Sequence, residues 1–161
     1  VRGGFCCMPF ENGEGLGGFP KGHFLLGVGH LQRIRTPFDQ ASGDINRFRR
    51  QASSRTYHQF FYVLRPEYPY DVMGVSTEFC ITMNGHFSNH WKSVLADDEE
   101  ACEAIQFVAG LALKKDNKVV VGYGINDCEA DLLEVSLEQI LAMVRPVVSD
   151  LNVNPDDLEM I

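Results

Sequence analysis

One segment of this sequence carries side chains that can bind a polar ligand beside a tight turn. Asp127 follows the strand-like segment Lys118–Ile125 at an Asn-Asp pair, and Tyr123 lies on the same strand face as Ile125. An aspartate at that position can accept hydrogen bonds from two hydroxyl groups of one sugar ring, and Tyr123 can add a stacking or hydroxyl contact. Two alternatives remain open: Asn126 and Asp127 only form the turn, which both residue types favour, and Tyr123 is a core residue.

Two histidines and one arginine are further candidates. His30 ends a segment in which Gly27 and Gly29 leave space on one face, so its imidazole can bind phosphate or a sugar hydroxyl group near neutral pH. His58 lies in an aromatic strand and is a candidate ligand residue. For both histidines, a structural residue satisfied by hydrogen bonds is the alternative. Arg2 can contact an anion or lie in solvent.

The elements that must position these residues are β-strands. Short runs rich in aromatic and β-branched residues, separated by turn residues, predict antiparallel neighbours. Ser136–Val144 is the exception, because Ser136 and Gln139 match a capping box and the apolar residues that follow have the helical period. The predicted strands are Val1–Pro9, His23–Gln32, Arg55–Arg65, Asp71–Phe79, Ala104–Leu113, Lys118–Ile125 and Glu129–Val135.

This order of elements predicts an all-β fold. Strands and helices do not alternate, which argues against a parallel sheet with crossover helices. Antiparallel meanders in series, followed by a short C-terminal helix, fit either the blades of a propeller or half of a sandwich. Strand counting does not separate these two architectures.

Composition limits the classes of function. The 161 residues include 45% hydrophobic and 22% charged residues, a balance typical of a globular domain. The net charge of −8 disfavours nucleic-acid binding, and the one basic cluster, Arg47 with Arg49 and Arg50, is predicted to be a solvated loop. The apolar runs are too short to cross a bilayer, so no membrane contact is expected. With no visible leader, the expected location is the cytoplasm, although the chain opens within a strand as a fragment would.

The five cysteines are predicted to be buried free thiols. Their number is odd and no spacing repeats, which disfavours both a disulfide framework and a metal site. If Cys6 and Cys7 are neighbours in a strand, their side chains point to opposite faces and cannot easily bridge. A reducing compartment is consistent with such thiols.

Three segments together resemble the last blades of the five-bladed β-propellers in the β-mannoside phosphorylase family. Ile105–Leu111 followed by Val119–Asp127 is similar to that family's Phe-x-x-Gly strand and its Tyr-Gly-x-x-Asp strand end, matched here by Tyr123, Gly124 and Asp127. Phe24–His30 is similar to a strand that carries a histidine near its inner end, displaced by about one residue. Arg2-Gly3-Gly4 resembles related propeller proteins.

The resemblance implies a fold, a substrate class and a set of substrate-binding residues. Residues 1–145 would be about two blades at the C-terminal end of a larger propeller, and residues 146–161 a tail. The implied activity is phosphorolysis or transfer of a mannosyl-type residue, with an oligosaccharide or sugar phosphate as partner and inorganic phosphate as co-substrate. The substrate-binding residues would be Asp127, His30, Tyr123, His58 and Arg2. The general acid would lie in earlier blades, so no catalytic residue, metal ligand or organic cofactor site is expected in this chain.

Two other classes of function remain alternatives. The chain can be a non-catalytic glycan-binding or protein-interaction module that keeps the funnel without the chemistry. It can also be a structural domain that completes its sheets with the remaining blades or in a homo-oligomer, which open strand edges would favour.

Overall fold

The computed structural model describes residues 2–3, 6–34, 55–82, 84–89, 102 and 105–147, and these form an antiparallel β-structure with one short helix. The predicted polar excursion 36–54, the acidic run 97–100 and the tail beyond 147 lie outside the described residues. No helix in the described part of the chain is long and apolar enough to cross a membrane.

In chain order the described strands are β1 (Arg2–Gly3), β2 (Met8–Asn12), β3 (Gly22–Ile34), β4 (Arg55–Leu64), β5 (Val72–Ser76), β6 (Cys80–Ile81), β7 (Phe87–Ser88), β8 (Gln106–Leu113), β9 (Lys118–Ile125), β10 (Glu129–Ser136) and β11 (Val144–Pro146). A 3₁₀ turn covers Leu16–Gly18, and the helix α1 covers Leu137–Met143. Five described strands, β3, β4, β8, β9 and β10, match predicted segments with small shifts in their ends. The predicted strand Val1–Pro9 corresponds to the separate strands β1 and β2, β5 is shorter than the predicted Asp71–Phe79, and β6, β7 and β11 were not predicted.

The strands form two main sheets. In the large sheet the order is β1-β3-β4-β5-β11, with β2 also paired to β3. In the small sheet the order is β10-β9-β8, and β6 and β7 form a separate short pair. All of these pairings are antiparallel. Consecutive strands therefore pair as meanders in β3–β4–β5 and again in β8–β9–β10.

One apolar core joins the two main sheets. Alternating residues point inward along β2, β8 and β9, as the period of two requires. The inward residues of both sheets and of α1 belong to one buried cluster, which includes Leu26, Val28, Phe61, Val63, Val108, Val119, Val121, Ile140 and Leu141. The sheets thus pack against each other through their buried faces.

The capping box predicted for the helix is confirmed. The backbone N–H of Gln139 donates to Ser136 Oγ at 3.0 Å, and the backbone N–H of Ser136 donates to Gln139 Oε1 at 3.0 Å. The helix ends at Met143, and Val144 is buried in β11, which pairs with β5. The return of the chain to the large sheet after α1 was not predicted.

The prediction of free thiols is wrong for the described cysteines other than Cys128. Cys80 and Cys102 form a disulfide with their Cα atoms 6.0 Å apart, and the bridge pairing of Thr82 with Cys102 brings the two segments together. Cys6 and Cys7 are also joined. They precede β2, so the alternation of strand side chains that argued against a bridge does not apply there. Cys128 is unbridged and exposed.

Candidate functional site

The candidate site lies where β9 turns into β10. Asn126 and Asp127 both have left-handed backbone conformations, with φ of 53° and 57°, and the N–H of Cys128 donates to the carbonyl of Ile125 at 3.1 Å. Asn and Asp tolerate this conformation better than most residues. Asp127 therefore forms the turn, as the simpler alternative held, and its carboxylate is exposed.

A shallow pocket of about 390 Å³ opens beside this turn. Its floor is the outward face of the small sheet, where glycine and alanine alternate with the buried residues. Phe107 and Leu132 form its apolar walls, and Asp127 and Asp131 supply carboxylates. The remaining lining residues are Ile105, Ala109, Gly122, Tyr123, Gly124 and Ala130.

Phe107 connects the pocket to His30. Its side chain is 41% exposed and lines the pocket, while its ring centroid lies 5.0 Å from that of His30 in a T-shaped contact. The His30 ring is buried and also lies 5.9 Å from the ring of Tyr57. Phe107 thus contacts His30 of the large sheet and also lines the pocket that includes Asp127, although His30 itself is not among the lining residues.

Tyr123 is buried but keeps a polar contact at the pocket. Its hydroxyl group donates to Asp131 Oδ2 at 3.4 Å, and the two residues are direct cross-strand partners. Burial, and then the negative charge of Asp131 and this hydrogen bond, raise the pKa of Tyr123. The phenol therefore remains a donor at physiological pH, and its ring belongs mainly to the core, as the alternative interpretation proposed.

His58 and Arg2 are placed less favourably for a shared site. His58 Nδ1 lies 3.3 Å from Glu78 Oε2, and Nε2 lies 3.5 Å from Thr56 Oγ1. His58 is not among the residues that line the pocket. The backbone of Arg2 pairs with His30, so β1 runs beside the site, but its side chain lies outside the described residues.

The expected open space beside Gly27 and Gly29 is filled by the protein itself. A Cβ atom at Gly27 would overlap the ring of Tyr62, and one at Gly29 would overlap the ring of Phe60. These rings come from the paired positions on β4. The glycines therefore admit neighbouring aromatic rings rather than a ligand, and His30 points to the opposite face of β3.

Sequence reasoning missed Phe107 and Asp131. The signal for Phe107 is that β8 places a polar residue, Gln106, on the buried face and an aromatic residue on the outward face. That inversion is visible only when the buried face is known. Asp131 is recognisable only from its pairing with Tyr123, because one acidic residue in an exposed strand is ordinary.

Other cavities and clusters give weaker candidates. A cleft of about 700 Å³ lies between the start of α1 and the β8–β9 turn, and its lining mixes acidic residues with Lys114 and Lys115. Among the described residues, no group of three or more His, Cys, Asp and Glu side chains is arranged to hold a metal ion.

Comparisons with protein-family models, with curated proteins and with solved structures found no match to this chain.

Proposed function

We propose that this chain forms part of a carbohydrate-active five-bladed β-propeller of the β-mannoside phosphorylase type, and that the Asp127 end of the small sheet binds a mannosyl-type glycan. The observation that carries the proposal is the position of Phe107. It contacts His30 from the large sheet and lines the same pocket as Tyr123 and Asp127. Phe107 therefore links His30 to a pocket lined by Tyr123 and Asp127, and the resemblance assigns all three of these residues to sugar binding.

The chemistry of the pocket suits a sugar ring. A pyranose has an apolar C–H face and a rim of hydroxyl groups. The apolar C–H face can pack against the exposed ring of Phe107 and against the glycine and alanine floor. The carboxylates of Asp127 and Asp131 can accept hydrogen bonds from the hydroxyl groups. Hydrogen bonds to charged groups are stronger than those between neutral groups.

The strand order fits the propeller part of the proposal, and it fits two packed sheets of a sandwich equally well. Two successive meanders, β3–β4–β5 and β8–β9–β10, each form antiparallel neighbours in chain order, as propeller blades do. In this arrangement the general acid belongs to blades outside this chain, and inorganic phosphate would enter as the co-substrate of a phosphorylase.

Asp127→Asn and Phe107→Ala test the site. Calorimetry with mannohexaose should show affinity lowered about tenfold or more by Asp127→Asn, because a charged hydrogen bond is lost, and about fivefold by Phe107→Ala. Asp116→Asn is the matched control, since Asp116 is an exposed aspartate in the β8–β9 turn. Full affinity in Asp127→Asn and Phe107→Ala would exclude this site. Sugar-phosphate formation from mannohexaose and phosphate then separates phosphorolysis from binding.

A protein-interaction module is the second candidate, because the same pocket has an exposed apolar wall. Leu132 is 71% exposed and lies on the outward face with Phe107. Such a patch is typical of a contact surface. Leu132→Lys should abolish self-association in sedimentation experiments if this candidate is correct. A wild-type chain that sediments as a monomer at all concentrations would exclude self-association through this patch.

A further inference from the structure

The turn between β4 and β5 exposes two tyrosines away from the candidate site. Tyr68 is 87% exposed and Tyr70 is 50% exposed. Gln59 is the strand partner of His30, and β4 continues from Gln59 to Leu64 before this turn. Five residues of strand span roughly 17 Å. The two tyrosines therefore form a surface of their own, which we call the tyrosine turn (residues 65–72).

The tyrosine turn is a folded element that holds both rings outward. The backbone N–H of Arg65 donates to the carbonyl of Asp71 at 2.9 Å, and that of Tyr70 donates to the carbonyl of Glu67 at 2.7 Å. Arg65 Nε lies 3.9 Å from Asp71 Oδ2. Pro66 and Pro69 restrict the backbone further. Because the turn is already ordered, a ligand that binds the rings would lose little affinity to ordering them.

Tyr70 adopts a backbone conformation that its residue type rarely occupies. Its φ is 62°, in the left-handed region, where a bulky residue is a genuine outlier. A glycine or asparagine at this position would form the same turn with less strain. Strained residues of this kind cluster at binding sites. Tyr70 thus occupies a position where the backbone alone favours a smaller residue.

The two tyrosine rings lie at nearly a right angle to each other. Their centroids are 6.2 Å apart and their planes are inclined by 86°. A sugar ring can stack on one tyrosine face while its edge meets the other ring, and Glu67 and Asp71 in the same turn provide carboxylate acceptors for hydroxyl groups. A nucleic acid is disfavoured because the turn carries acids and the chain has a net charge of −8.

We propose that the tyrosine turn is a second carbohydrate-contact site, which holds a pyranose unit of a long glycan on the surface of the molecule. The choice of a mannosyl-type glycan as the probe rests on the proposed function. The assignment of the tyrosine turn as a sugar-contact site rests on the geometry of the two rings. A long glycan that contacts both places would be retained better than a short one, because the second contact becomes intramolecular.

Amide NMR of the full chain with soluble β-mannan and with mannohexaose tests this proposal. Signals of residues 65–72 should shift, and Tyr68→Ala combined with Tyr70→Gly should lower the affinity for β-mannan about five- to tenfold. Tyr68→Phe with Tyr70→Phe keeps the rings and should change affinity less than about threefold. Leu113→Ala removes an exposed apolar side chain elsewhere and is the matched control. Unfolding curves identify any variant that fails to fold, and Tyr70→Gly should be at least as stable as the wild type.

The outcomes separate this proposal from the proposed function. Shifts near Asp127 without shifts in residues 65–72 overturn the tyrosine turn and leave the first site standing. Shifts in the tyrosine turn alone support it and overturn the first site. Unchanged signals in both places overturn both. If the tyrosine variants change the sedimentation coefficient but not glycan affinity, the turn contacts protein and the proposal is wrong.

Discussion

At the residue scale, the buried side-chain amide of Gln106 makes two hydrogen bonds to the backbone of Ile81, as a neighbouring strand would. Its Nε2 donates to the carbonyl of Ile81, and its Oε1 accepts from the N–H of Ile81 at 2.8 Å. The backbone carbonyl of Gln106 accepts from Gln59 Nε2 at 2.9 Å. Both glutamines are almost fully buried. This network links β4, β6 and β8 immediately beside Phe107.

Gln106→Leu should therefore lower the free energy of unfolding by about 3 kcal/mol, because a buried N–H and a buried carbonyl lose their partners. Urea unfolding followed by circular dichroism measures the change. Gln32→Leu is the matched control, since Gln32 is exposed in β3. A loss below about 1 kcal/mol in Gln106→Leu would contradict the network's role in stability.

Glu134 gives a prediction about pH. Lys114 Nζ donates to its Oε2 at 2.5 Å and Lys118 Nζ donates to its Oε1 at 2.7 Å. The hydrogen bond from Lys114, then that from Lys118, lower the pKa of Glu134 from 4.5 to about 2. Because the folded value is the lower one, the carboxylate stabilises the fold above pH 4.5, and this contribution is lost as the pH falls through 2.

The stability difference between the wild type and Glu134→Gln should accordingly be largest near neutral pH and shrink between pH 4.5 and 2. Unfolding curves at low ionic strength measure it. Because the three side chains are exposed, 1 M salt should reduce the difference through screening. A difference that does not vary with pH would show that the two lysines do not hold the carboxylate in solution.

Single residues also mark the limit of what the sequence could predict about the site. The Asn126–Asp127 turn was recognisable because few residue types accept its backbone conformation. The roles of Phe107 and Gln106 depend on which face of β8 is buried. That face is decided by the large sheet, which is distant in sequence, so strand alternation alone does not assign it.

At the element scale, the pairing of β3 with β4 explains the two glycines of β3. Tyr62 and Phe60 lie over Gly27 and Gly29, so the absence of side chains on β3 creates the space that these rings occupy. The sequence analysis expected these glycines to leave open space on one face of the strand, and in the structure two aromatic rings fill that space.

A double-mutant cycle tests this packing. Gly27→Ala should cost about 1–3 kcal/mol in the wild type, because the Tyr62 ring must move. In a Tyr62→Ala background the same change should be neutral or stabilising, since alanine suits a strand better than glycine. Urea unfolding of the four proteins gives the coupling energy. A coupling energy near zero would mean that the ring does not depend on the glycine.

Local elements were predictable to different degrees. The hairpins and the α1 cap are encoded within about ten residues of sequence, and the structure places them close to the predicted bounds. The strand β11 is three residues long and pairs with β5, which lies about 70 residues earlier in the chain. So short a segment has no periodicity of its own, and its pairing is set by the buried side chain of Val144.

At the scale of the whole molecule, the sequence indicated antiparallel meanders but not how the two sheets meet. Their shared core depends on contacts between segments far apart in the chain, such as Phe61 of β4 and Val108 of β8, which belong to one buried cluster. Strand periodicity indicates that each sheet has a buried face and leaves the partner of that face open. Only the packed structure brings His30 to Phe107, which lines the pocket beside the Asp127 turn.

The Cys80–Cys102 bridge is a second long-range constraint, and it gives a prediction for the whole fold. It closes a loop with a sequence separation of 22 residues between two buried positions. A loop of this length restricts the unfolded chain enough to contribute about 3 kcal/mol. Reduction should lower the urea midpoint of the wild type. A variant with Cys80→Ala and Cys102→Ala should unfold at about the urea midpoint of the reduced wild type, and a reductant should not lower that midpoint further. Cys128→Ser should behave as the wild type, because Cys128 is unbridged.

The same experiment bears on the compartment. Structural disulfides persist in oxidising environments and are rare in the cytoplasm, so the presence of the bridge in the native protein would test the cytoplasmic location expected from the sequence. Alkylation of the native protein before unfolding should leave Cys80 and Cys102 unmodified and should recover them after reduction. If both are alkylated on unfolding without a reductant, the bridge does not form in the native setting, and the original expectation of buried thiols holds for this pair.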